Sequence, residues 1–465
     1  MSRHIEAAMT KAIHARRALL PSGWAGDVRV TVADGKVAGV FVGAAARTGD
    51  YRVGLLMPAL SNLHSHTFQR AMAGLTERRA QGRESFWTWR EVMYRFVGQL
   101  TPEDVEAIAA MAFCDMQEAG FAAVAEFHYL HNSGDGSPYS DPAELSKRVI
   151  SAASATGIGL THLPVLYTYG GAGKQALSGG QRRFGHDATS YLRLREGAAA
   201  AIAALAPDAC IGVAPHSLRA TCPEDLAEVL GSLGPASGPV HIHIAEQPRE
   251  VAEIGDWLGA RPVEWLLANT PVGPDWCAIH ATHMTAAECA GLAATGAVAG
   301  LCPITEANLG DGPFDGSGWI AASGALGVGS DSNVRISVAE ELRMLDYSQR
   351  LRDLSRAVMV PGEGSVGAWL YHAALKGGAQ ALGRASGAIA PGLWADLVAL
   401  DDAHPAFAAL SDDHLLDAVV FAAPDGVVTD LWSAGRHSVR DGRHIARDRI
   451  RAEYVGRVRR LVEGL

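Results

Sequence analysis

Apolar and polar positions change rhythm twice along this chain. Near the start, "DVRVTVADGKVAGVFVG" (27–43) alternates apolar and polar residues around an Asp-Gly turn, the signature of short strands. Near the end, "GAIAPGLWADLVALD" (387–401) and "VVTDLWSAGRHSVRDGRHI" (427–445) repeat that style; the second reads as strand–turn–strand with Asp-Gly at the turn. Two β-rich ends predict one small sheet domain built from both termini. Between them, short apolar runs alternate with longer Ala/Leu/Glu/Arg-rich stretches. The runs are "GLLMPALSNLH", "AAVAEFHYL", "GIGLTHLPVLY", "CIGVAPHSL", "VHIHIAE", "WCAIHATHM", "AVAGLCPI" and "LGVGSDSN". About eight strands, most followed by a helical segment, predict an α/β fold: a (β/α)8 barrel. The expected division is 1–57 and 387–465 for the terminal sheet, the latter with a terminal helix, and 58–386 for the barrel.

Polar residues gather at the C-terminal ends of the runs: His64 and His66, Glu126, His128 and Tyr129, His216, His243 and Glu246, His280 and His283, and Asp331. In such a barrel these strand ends form the active-site face. His64 and His66 are two residues apart, so a strand points both imidazoles the same way. With His243 as a third nitrogen donor and Asp331 as a carboxylate, the set suits a divalent metal with an open position for water. Zinc is the expected ion, although the same ligands accept iron or manganese. Glu246, three residues past His243, is within reach of the same centre for proton transfer. His280 joins the set from the sixth run.

Composition narrows the partners. Of 465 residues, 48% are hydrophobic and 19% charged, enough for a large core. Net charge is −10 with no Lys/Arg-rich block, which argues against nucleic acid or an anionic membrane as partner. The N-terminus lacks an apolar signal core and no tract is long enough to span a bilayer, so a cytoplasmic protein is expected. Six scattered cysteines without a CxxC pair read as reduced thiols.

The chain resembles the amidohydrolase superfamily, on "HSH" after the first run, "HIHIAE", "HATH", "GSDS" and the "PGLWADLVALD" tail. That resemblance implies a distorted (β/α)8 barrel with a small β-sandwich from both termini, and zinc held by His64, His66, His243 and Asp331. The middle runs lack the lysine that bridges two metals in other members, so one metal is implied. Within the superfamily, "NLHSHTFQRAMAGLTE", "SFWTWRE", "EFHYLHN", "APHSLRA", "HIHIAEQ" and "TEANLGDG" are similar to N-formimino-L-glutamate deiminases of histidine degradation. This implies Glu246, His280 and Asp331 in catalysis and Gln69, Arg90, Tyr129, His216 and Arg219 on substrate. The implied substrate is a small anion and the implied assembly a homodimer. Arginine's planar fork is well suited to clamping carboxylates, which agrees with Arg90 and Arg219 in these roles. The other reading is a single-metal deaminase of a ring substrate: guanine, cytosine or an adenosine derivative. Glu306 receives no role beyond proximity to the pocket. His128 and His283 are expected to support structure, and Trp87 and Trp89 either pack a loop or help a lid around 75–95.

Overall fold

The computed structural model describes residues 10–77, 86–234 and 237–463, with side chains omitted at 86–88. Eight parallel strands form a closed ring. They are β1 (Leu60–Ser65), β2 (Phe121–His128), β3 (Gly159–Leu166), β4 (Cys210–Ile211 and Ala214–Pro215), β5 (Val240–Ile244), β6 (Trp276–His280), β7 (Val298–Leu301) and β8 (Ala325–Val328). Ladders join β1 through β4 and β5 through β8. Isolated bridges Val213–Val240 and Ser217–His243 join β4 to β5, and Ser65–Asp331 closes β8 on β1. Their residues are almost entirely buried, as expected of parallel strands covered on both faces.

Closure needs a close backbone approach. A Cβ on Gly329 would lie 2.6 Å from the His64 nitrogen and 2.7 Å from its carbonyl oxygen, so only glycine lets β8 come this near β1.

Both termini build one eight-stranded sheet. Its order is Arg443–His444, Arg436–Arg440, Val428–Ser433, Leu397–Leu400, Tyr51–Pro58, Ala12–Leu20, Gly23–Ala33, Lys36–Phe41. It packs a core of its own, including Ile13, Val28, Val30, Leu56, Leu397 and Trp432. Two runs divide more finely than their sequence implies. "GLLMPALSNLH" belongs to two sheets: Tyr51–Pro58 pairs with Ala12–Leu20 and Leu397–Leu400 in the terminal sheet, and Leu60–Ser65 is β1. Pro58 has no N–H to continue a ladder, and the chain changes sheet immediately after it. "VVTDLWSAGRHSVRDGRHI" gives three strands with turns at Ala434-Gly435 and Asp441-Gly442.

A buried ionic network ties barrel to terminal sheet. Arg384 donates to Asp396 at 2.6 Å and to Asp208 at 3.0 Å; Arg436 donates twice to Asp208, at 2.8 and 2.7 Å. Asp208 precedes β4, and Asp396 precedes the sheet strand Leu397–Leu400. All six cysteines are unpaired. Among the described residues no helix is long and apolar enough to cross a membrane.

Truncating Arg384 would leave two buried carboxylates short of their partner. Arg384→Ala is expected to destabilise the fold by about 3–5 kcal/mol, read as a fall in denaturation midpoint. A midpoint unchanged within error would remove the network from the account of stability.

Candidate active site at the mouth of the barrel

The sequence-expected residues converge at the C-terminal mouth. Gln69, Arg90, Tyr129, His216, Arg219, His243, Glu246, His280, Asp331 and His66 line one pocket, and His64 lies fully buried at its floor. Each arrives from a strand end or the segment after it. His64 is on β1 and His66 immediately follows it; His243 is on β5 and His280 ends β6. Arg90 comes from helix Phe86–Val97, and Gln69 from a 3-10 turn, Thr67–Met72.

Four of these side chains fit a metal. His64, His66, His243 and Asp331 each offer one atom, and those atoms lie within 4.8 Å of one another. His64 and His66 bring their Nε2 atoms to 3.2 Å, and the Asp331 carboxylate lies 3.6 and 3.3 Å from them. His66 Nδ1 lies 2.8 Å from the Phe127 carbonyl and His243 Nδ1 lies 3.2 Å from the His216 carbonyl. A carbonyl only accepts, so each of these Nδ1 atoms donates and each remaining nitrogen is a bare lone pair. Burial first, then neighbouring imidazoles, push His64 and His243 well below the usual histidine range; burial above all holds His66 at about 3. Neutral nitrogens and a carboxylate oxygen crowded without protons between them are the donor set of a divalent cation.

A second layer of carboxylates faces this set. His280 Nε2 lies 3.7 Å from Glu246 and 3.8 Å from Asp331, and its Nδ1 lies 3.2 Å from Glu306. Burial opposes charge on His280, but Glu246, Glu306 and Asp331 outweigh it and raise the imidazole to about 10. Burial raises Asp331 to about 7. Glu306 was expected only near the pocket. It lies on helix Pro303–Leu309, where its carboxylate also accepts the Cys302 N–H at 2.8 Å. It therefore fixes His280 so that Nε2 is the nitrogen that faces Glu246 and Asp331.

The outer pocket is cationic and aromatic. Arg219 Nη2 lies 3.5 Å from Glu246. Arg90 donates to the Tyr167 hydroxyl at 3.1 Å and lies 5.2 Å over the Tyr94 ring. Gln69 donates to the Tyr129 hydroxyl at 2.7 Å. Tyr94, Tyr167 and Phe184 line the wall; Tyr167 ends the run that forms β3, whereas Tyr94 and Phe184 come from a helix and a loop that no motif marks. His128 points away from the pocket toward His131 and His162, and His283 donates to the Asp311 carbonyl at 2.9 Å. Trp89 lines the pocket; the Trp87 side chain and residues 78–85 of the expected lid lie outside the described residues.

The strand ends carry strained backbone. Ala245, His280, Ala281, Asp331 and Asn333 all have positive φ, between 45° and 66°. Non-glycine residues pay for this conformation, and such strain concentrates where side chains must be re-aimed.

A parallel barrel closed by β8 on β1, with this ligand set at its mouth, is the architecture of one class of hydrolase. The chain belongs to the amidohydrolase family, whose model matches residues 55–437; members of that family depend on a metal. Residues 10–54 match the model described as formimidoylglutamate deiminase HutF, N-terminal domain. The chain is 50% identical over 446 residues to the formimidoylglutamate deiminase of Pseudomonas aeruginosa, covering 96% of this chain and 98% of the relative. A 5-methylthioadenosine/S-adenosylhomocysteine deaminase of Natronomonas pharaonis is 26% identical, over 90% of this chain and 88% of its own. The crystal structure of an amidohydrolase from Brucella melitensis superposes with a TM-score of 0.92 at 45% identity, covering 97% of this chain and 100% of that one.

Removing one nitrogen donor should empty the centre before it unfolds the barrel. His243→Ala is expected to weaken metal binding by more than about 100-fold, measured by elemental analysis after dialysis against chelator. Wild-type metal content in that variant would exclude His243 as a ligand.

Proposed function

We propose that this protein hydrolyses the formimino group of N-formimino-L-glutamate, giving N-formyl-L-glutamate and ammonia, as a step of histidine degradation. The observation that carries this reading is the pairing of two arginines with a metal-type ligand set in one pocket. A substrate with two carboxylates and one amidine asks for that combination. The 50% identity to a formimidoylglutamate deiminase over nearly the whole chain supports it.

The proposed centre is one zinc ion held by His64, His66, His243 and Asp331. The lack of a lysine in the runs that form β3 and β4 supports a single ion. When bound, it supplies the Lewis acidity that makes a water nucleophilic near neutral pH. Glu246 takes one proton of the attacking water and returns it to nitrogen, and the proton left on the tetrahedral oxygen passes through Asp331 to the same nitrogen as the C=O bond forms. The amidine carbon gains a C–O bond, and the C–N bond to the departing nitrogen breaks as ammonia forms. His280, turned by Glu306, stabilises the oxygen as the carbon becomes tetrahedral, with Asp331 as partner. His216 faces the formimino nitrogen. Arg90, Arg219, Gln69 and Tyr129 hold the glutamate portion, so binding energy becomes orientation. Homodimeric assembly and cytoplasmic location belong to this reading, with domain boundaries at 386/387 and, because Pro58 still pairs with Leu397, at 58/59 rather than 57/58.

Two variants test the roles. Glu246→Gln is expected to keep its metal and lose at least about 1,000-fold in kcat; full turnover would remove Glu246 from proton transfer. Arg219→Met is expected to lower kcat/KM for N-formimino-L-glutamate by at least about 100-fold, the cost of an unpaired substrate carboxylate. An unchanged kcat/KM would favour a neutral ring substrate instead.

A further inference from the structure

Glu250 is fully buried, three residues inside the first turn of helix Pro248–Leu258. A glutamate at this position commonly accepts the backbone N–H of the capping residue. Here the capping residue is Gln247, and the Glu250 carboxylate reaches past it. One oxygen accepts the Ala245 N–H at 3.2 Å and the other the Glu246 N–H at 3.1 Å. That second oxygen also lies 3.7 Å from Arg219 Nε. Arg219 in turn sets Nη2 3.5 Å from the Glu246 carboxylate. Ala245, the first residue held, has φ 52°, a conformation an alanine adopts only when its surroundings enforce it.

Three groups thus form a closed triangle: the strained turn that presents Glu246, the Glu250 carboxylate, and the Arg219 guanidinium. We propose that Glu250 is a positioning residue that couples the proton-transferring Glu246 to the substrate-holding Arg219; this rests on the roles given to both under the proposed function. Its two backbone bonds aim Glu246, and its charge holds the guanidinium facing the pocket. Misplacement of either end is transmitted to the other through one side chain.

Glu250→Gln keeps the shape but offers one acceptor oxygen in place of two and no charge. It is expected to retain metal content and fold, to lower kcat by about 30-fold and to raise KM by about 10-fold for N-formimino-L-glutamate. The decisive readout is a double-mutant cycle. In an Arg219→Met background, Glu250→Gln is expected to change KM by less than about 2-fold while its kcat loss persists. A part that merely stabilises the fold would raise KM by the same factor in both backgrounds, and that result would overturn the coupling. Unchanged kcat in Glu250→Gln would overturn its hold on Glu246. Should Arg219→Met alone leave KM unaltered, the carboxylate role of Arg219 falls, and the kcat of Glu250→Gln still decides the hold on Glu246. Glu250→Asp, one methylene shorter, provides the same readings if the glutamine variant fails to fold.

Discussion

Two backbone hydrogen bonds where the barrel closes place the whole site. The His66 N–H donates to the Asp331 carbonyl and the Asp331 N–H to the His64 carbonyl, both at 2.9 Å. Three of the four residues whose side chains converge as candidate metal donors therefore hold each other through their main chains. Closure of β8 on β1 and assembly of the ligand set are one event. Gly329 makes the approach sterically possible, and the left-handed backbone at Asp331 accompanies the carboxylate's approach to the two imidazoles. Loss of this closure would scatter the donors even if every ligand remained in the sequence.

That convergence has an electrostatic cost. Burying lone pairs and carboxylates together without counter-charge is unfavourable by several kcal/mol per ion. A divalent cation relieves it at the centre. Further out, the structure balances charge in pairs: Glu246 against Arg219 and His280, and Glu306 against His280. The surrounding carboxylates raise His280 rather than leaving it neutral like the ligand histidines. Equally buried imidazoles in the same pocket thus differ in charge according to their neighbours, and the three that fit a metal together with Asp331 are neutral.

Much of this was legible in the sequence, for physical reasons. Period-two alternation marked the terminal strands, and buried parallel strands read as short apolar runs. Polar residues at the ends of those runs had only the barrel mouth to occupy, so His64, His66, His243, Glu246, His280 and Asp331 were recognisable together. What stayed hidden depends on distance in space. The run is continuously apolar over 54–60, across the change of sheet, and hydrophobicity carries no mark of it beyond Pro58. Glu306 and Glu250 look like ordinary helix carboxylates until the fold brings one to His280 and the other to Arg219. In the aromatic wall, Tyr167 ends a quoted run, but Tyr94 and Phe184 sit in a helix and a loop that no apolar pattern marks.

The two arginines beside the metal-type set suit this pocket to a linear amidine bearing two carboxylates. The most direct measurement is ammonia release by zinc-loaded protein from N-formimino-L-glutamate, with guanine, cytosine and S-adenosylhomocysteine assayed beside it and the organic product identified. Turnover of the formimino compound alone is expected, with N-formyl-L-glutamate formed in equal amount to ammonia. Deamination of a purine or pyrimidine, with the formimino compound untouched, would contradict it and leave only the metal centre standing.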